Sequence, residues 1–218
     1  MNLQTTTPLS SGWKLFGLIA ALILAMSAAI LWAHADPVEG VRSLIRATAR
    51  TSFALFLIAF TASVFVALVP APWSKAVLRE RRYIGLAFAF SHLVHAIAIY
   101  SYGRLSPEFW PGRTGFANVP GSVGYLFIVL MTVTSFKPVA RRLSAVAWKR
   151  LHTSGMWVIA AVFASSYFKR IPMDSAYAIP FGILLAAIAI RQVGKLAQAN
   201  KRRQAATRGA AQYPTEAA

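Results

Sequence analysis

The chain alternates long apolar runs with short polar connections. Six runs stand out, at about 13–33, 51–69, 83–102, 119–136, 148–168 and 175–190. A helix rises about 1.5 Å per residue, so roughly 20 apolar residues cross the hydrocarbon core of a bilayer. The pattern therefore predicts an all-α membrane protein, a six-transmembrane-helix bundle. Pro70 and Pro72 stop the second run, because a proline inside a helix lacks the N–H and clashes with the preceding turn. Pro180 falls near the first turn of the sixth run, where the missing N–H costs little. The third connection is rich in turn formers and aromatics (Phe109, Trp110, Pro111, Gly112). Connections this short leave one compact bundle over 1–197 and no soluble domain. The basic, alanine-rich stretch 198–218 is predicted to be a frayed or disordered cytoplasmic tail without a function of its own. Ala33-His34-Ala35-Asp36 has the look of a signal-peptidase site. The run before it is longer than a usual signal core and only Lys14 precedes it, so a retained helix is expected.

Composition agrees with a membrane class, with 57% hydrophobic and 13% charged residues. The absence of cysteine excludes disulfides, thiol catalysis and thiolate ligation of metals. A net charge of +17 raises nucleic acid as a partner, but the cations flank the apolar runs instead of forming one basic face. They read as topological anchors beside anionic lipid, with no nucleic-acid partner. The N-terminus, the second and fourth connections and the C-terminal stretch together hold 16 Lys and Arg, against seven in the other three loops. That asymmetry puts the first set, with both termini, in the cytoplasm.

Asp36, Glu39, Glu108 and Asp174 fall in outer loops or at helix ends, and no acid sits in the middle of a run. A proton-coupled transporter, which needs an intramembrane carboxylate, is thereby disfavoured. Chemistry is left to the histidines. His92 and His95 stand three residues apart, on one helix face, inside the third run. Imidazoles at that depth are expensive. Either they hydrogen-bond to neighbouring helices and do no chemistry, or they grip a haem iron. His152 sits about one turn into the fifth run, after Lys149 and Arg150; it is an interfacial histidine capped by water or lipid phosphate, or a ligand. His34 lies at the outer end of the first run, where a solvated loop histidine is the plainer reading.

Taken in order, Arg81-Arg82-x-x-Gly85-Leu86, His95, Thr134-Ser135, Arg142-Leu143 and Trp148-x-Arg150-Leu151-His152 resemble the ferric reductase-like transmembrane domain. The closest likeness is to its short, flavin-free MsrQ-type branch of haem-binding membrane subunits. The likeness covers the third to fifth runs well and the others by hydropathy and number. It implies b-type haem between the third and fifth helices, His95 and His152 as metal ligands, and His92 as a further cofactor contact. Arg81 or Arg82 would pair with haem propionates. It also implies a bacterial-type inner membrane, a cytoplasmic-side donor such as a quinol or flavin reductase, and a periplasmic acceptor. Quinone is a possible second cofactor near Lys149 and Arg150.

One departure stands out. The family's second histidine of the fifth helix falls here at Ser165, and a serine is a poor iron ligand. Depth adds to the difficulty. His95 lies about thirteen residues, or roughly 20 Å, past the cationic start of its helix, and His152 about four residues, or roughly 6 Å. Two axial ligands of one iron share a level, so His95 and His152 are predicted not to hold the same haem. An outer-level haem on His95, an inner-level haem on His152 and a bundle without haem all remain open. The function predicted is a membrane electron carrier with oxidoreductase chemistry through haem; the alternative is a haem-free scaffold or anchor of the same fold. A small transporter ranks third.

Overall fold

The structure is a computed structural model that describes residues 11–111 and 115–212, without the side chains of 115–117, 201, 202 and 205–212. Gly112 of the third connection and the end of the C-terminal stretch, 213–218, lie outside the described residues. The described chain is helical, in the order α1 (Gly12–Ala33), α2 (Pro37–Leu68), α3 (Pro72–Leu105), α4 (Gly115–Val133), α5 (Lys137–Ala140), α6 (Ala145–Phe168) and α7 (Ala178–Gln212). A 3₁₀ turn, Ser175–Tyr177, precedes α7. The basic stretch after 197 continues α7 as far as Gln212.

Local chemistry explains the breaks. Asp36 accepts from the Val38 N–H at 3.0 Å and Pro37 opens α2, which is the usual grammar of a helix start. Ser74 folds back over the tight α2–α3 link, accepting from the Ala71 N–H and donating to the Val69 carbonyl. Ser144 caps α6 by accepting from the Ala147 N–H. Glu80 accepts from the Gly12 N–H at 2.7 Å and from Arg79 at 3.0 Å, which pins the start of α1 to α3. Gly12 enters α1 at φ 59°, a conformation other residues avoid.

Four helices are long and apolar enough to cross a membrane: Gly12–Ala33, Pro37–Leu68, Pro72–Leu105 and Ser175–Asn200. Asn118–Val133 is a shorter apolar helix. α6 has the length, at 24 residues, but His152, Thr153, Ser154, Ser165 and Ser166 dilute its apolar character. The protein is an integral, multi-pass membrane protein.

α2 and α3 form the central antiparallel hairpin, and the other helices wrap it. Phe56 and Phe60, almost fully buried, carry the core; they meet Phe88 of α3 and Phe163 and Trp157 of α6 at ring distances of 5.4–5.9 Å. Three hydroxyl residues, Thr48, Ser52 and Ser91, lie fully buried on the α2–α3 seam, where interhelical hydrogen bonds substitute for the missing hydrophobic drive between helices in lipid. Close approach of α4 and α6 depends on Gly155, where an added Cβ would sit 2.6 Å from Met131 Sδ. α3 and α6 are not a closely packed pair; they meet through side chains, with the rings of His92 and Phe163 5.9 Å apart. The direct helix contact that the haem-binding likeness implies is thus looser than expected.

Candidate functional site

His95 reaches from α3 across the seam to α2, where its Nδ1 lies 3.0 Å from Thr48 Oγ1. Thr48 has one hydroxyl proton, and it goes to the Leu44 carbonyl one turn back, at 2.7 Å. Its oxygen therefore accepts from His95, which holds the ring as the Nδ1–H tautomer. Nε2 is left as the nitrogen with a lone pair.

His92, one turn inward, points elsewhere. Its ring lies between α4 and α6, with Tyr125 at 5.4 Å, Phe163 at 5.9 Å and His95 at 5.5 Å. His92 Nδ1 is buried and has no hydrogen-bond partner among the described residues. The same residue borders a cavity of about 330 Å³ between α1, α3 and α4, lined almost wholly by apolar side chains such as Trp13, Phe90, Leu93, Ile128 and Phe136.

The geometry of His152 is the reverse of that of His95. Its Nε2 lies 3.0 Å from Thr134 Oγ1, and the Thr134 proton is spent on the Leu130 carbonyl at 2.6 Å. Nε2 is therefore the protonated, donating nitrogen. Trp148 stacks on the ring at 4.1 Å and donates its indole N–H to the Thr134 carbonyl. Tyr125 marks the level of His92 on α4; Thr134 lies nine residues further in, about 14 Å along the helix. His95 and His152 are thus at different depths, as their places in the runs predict.

The arginines also separate. Arg81 donates to the Ala59 carbonyl of α2 at 2.8 Å. Arg191 of α7 donates to the next carbonyl, that of Phe60, and lies over the Phe60 ring at 4.3 Å. Arg82 turns toward α1, over Trp13 and Tyr83. Only Arg81 comes within electrostatic reach of His152. His34 is fully committed: Nδ1–H donates to the Ile30 carbonyl at 2.8 Å, and Nε2 accepts from Ser43 at 3.1 Å. It ties the end of α1 to α2 and offers no lone pair.

Among the described residues no group of three or more His, Cys, Asp or Glu could cage a bare ion. A porphyrin brings its own four equatorial nitrogens and asks the protein for one or two axial ligands. The donor set fits that smaller demand at one axial position, His95 Nε2. On α6, Val162 packs on Gly124 of α4 and Phe163 on Phe53 of α2. By helical periodicity Ser166 falls between these two directions, and Ser165 is turned about 200° from Phe163.

Residues 47–163, more than half of the chain, match the family described as ferric reductase like transmembrane component. The chain belongs to this family. The match begins one residue before Thr48 and ends at Phe163, so it takes in the α2–α3 seam, Arg81, all three histidines of the bundle interior and the α4–α6 pair. Membership in a ferric reductase-like family points to electron transfer across a membrane. No curated protein and no solved structure matches the chain. Of the two threonines at the histidines, Thr134 is marked in the sequence by the Thr134-Ser135 pair inside the fourth run, whereas Thr48 precedes the run predicted from 51 and carries no such mark.

Proposed function

We propose that the protein is a membrane electron carrier that moves electrons through b-type haem to an acceptor on the outer side. The observation that carries this reading is the state of His95: half-buried in the bundle, with Nδ1–H held by Thr48 and Nε2 left with the lone pair. Haem, when bound, supplies a reversible one-electron store. His95 holds it at the outer level, and Phe88 and Phe163 keep that level dry. Neither Ser165 nor Ser166 would offer such a haem a strong ligand from α6. His92, one turn from His95 and with its unpartnered Nδ1, would be a second contact. Arg81, which donates to the Ala59 carbonyl, stands fourteen residues before His95 in α3, about 21 Å along the helix and too far for a propionate of a haem held on His95, and Arg82 turns toward Trp13.

In this reading six segments cross the inner membrane of a bacterial-type cell, with the ends of α2 and α4 and the starts of α3 and α6 on the cytoplasmic side. The donor there is a quinol or a flavin reductase, and the cavity beside His92 is the place open to a lipid-soluble quinol. The chain then sits with the MsrQ-type branch. A haem-free scaffold is the second reading, favoured by the serines that replace a fifth-run histidine.

Vesicles containing the protein, with an impermeant oxidant trapped inside and an impermeant reductant outside, test the transfer. Bleaching of the trapped oxidant that depends on the protein and is lost in His95→Ala supports the carrier. Equal bleaching by both proteins refutes it.

A further inference from the structure

We propose that Thr48 is the positioning residue that makes His95 an iron ligand, by fixing the imidazole as the Nδ1–H tautomer with Nε2 turned to the metal. The proposal rests on the haem reading above. A neutral histidine exchanges its proton between two nitrogens, and the partner of one nitrogen decides which of them is free. Two acceptors stand at His95: the Thr48 hydroxyl, whose own proton is already spent, and the Ile45 carbonyl beside it, and of the two Thr48 is the one a substitution removes. The hydroxyl donates to Leu44 at 2.7 Å and also faces the Ile45 carbonyl at 3.2 Å, so toward His95 it only accepts.

Thr48 is itself held in place. It has no exposed surface, and its carbonyl accepts from Ser91 at 3.3 Å, while Ser52 donates to Ser91 at 2.8 Å. A hydrogen bond from the distal N–H of a ligating histidine raises the basicity of the ligating nitrogen and fixes the ring plane. Thr134 supplies the contrast. It makes the same kind of contact, at the same 3.0 Å, to the other nitrogen of His152. The same pair of residue types thus presents a ligand in one place and withholds Nε2 in the other.

The test uses the full-length protein in nanodiscs, with Thr48→Val and Thr48→Ala removing the hydroxyl and Thr48→Ser keeping it. Thr61→Ala removes another buried hydroxyl of α2, one that donates to its own helix at the Leu57 carbonyl, and controls for a merely structural role. Nitrogen-15 spectra of histidine-labelled, haem-free protein read the tautomer. Haem content and midpoint potential are read after reconstitution. The expected result is a His95 resonance pair of the Nδ1–H form in the wild type, Thr48→Ser and Thr61→Ala. The hydroxyl-free variants lose that form, bind several-fold less haem, and show a higher potential in what they retain. A wild-type tautomer and potential in Thr48→Val and Thr48→Ala overturns the proposal. A wild-type protein that takes up no haem refutes the electron-carrier reading instead, and the nitrogen spectrum then still decides whether Thr48 sets the tautomer.

Discussion

Thr134 Oγ1 accepts from His152 Nε2 across 3.0 Å, so the histidine in the first turns of α6 has that ring nitrogen engaged by protein. Ligation there would have to break this contact or use Nδ1. At His95 it is Nδ1 that meets a threonine, Thr48, at 3.0 Å, and Nε2 is the nitrogen left for a ligand.

Single replacements should follow that difference. His95→Ala is expected to lose most of the haem, and His152→Ala to keep most of it. Haem per protein at equal expression measures both. Loss confined to His152→Ala would move the site to the inner level.

Helical periodicity puts Ser166 between the directions of Val162 and Phe163, which makes it the position of α6 at which an added ligand is tested. Ser166→His should convert the bound haem toward a six-coordinate, low-spin spectrum. Ser165→His should leave the spectrum unchanged, since that side chain is turned about 200° from Phe163. A low-spin shift in Ser165→His alone would mean that α6 is rotated about its axis, with residue 165 and not 166 toward the haem.

The inner and outer ends are open to mapping. Reporter fusions after Ala35 and Phe116 should report outside, and fusions after Arg79 and Ser144 inside, from the excess of cations on one side. An outside signal at Ser144 would overturn this scheme, since it would remove α4 from the set of crossing helices.

Packing gives a prediction independent of haem. Gly155→Leu places a branched side chain where even a Cβ meets Met131 Sδ at 2.6 Å. Overpacking of this kind costs about 1–3 kcal/mol, so the variant should melt earlier in detergent than the parent protein. Gly17→Leu, at a position with nothing within 4 Å, is the control and should not.

How far the sequence is legible depends on which forces act locally. The apolar runs give the helices, because spanning length and hydropathy are properties of a segment. Two runs overreach in one respect: 119–136 is a shorter apolar helix than the others, and 148–168 is too polar to match them, although both form helices. The different depths of His95 and His152 also follow from counting residues along helices. Their partners do not. Thr48 and His95 are 47 positions apart, and only the α2–α3 pairing brings them together. Likewise the choice between Ser165 and Ser166 depends on the rotation of α6, which is set by Gly155 against Met131 and Val162 against Gly124. The separate roles of Arg81 and Arg82, adjacent in sequence, are set by which neighbour each finds, the Ala59 carbonyl or the rings of Trp13 and Tyr83.

The central claim is that this ferric reductase-like domain holds a redox-active haem on His95. The most direct measurement is the reduced-minus-oxidised difference spectrum of the purified, full-length protein, expressed with ample haem. A Soret and α-band difference of b-type haem, near one haem per chain, is the predicted result. A protein that purifies folded and shows no such difference would contradict the claim and leave the scaffold.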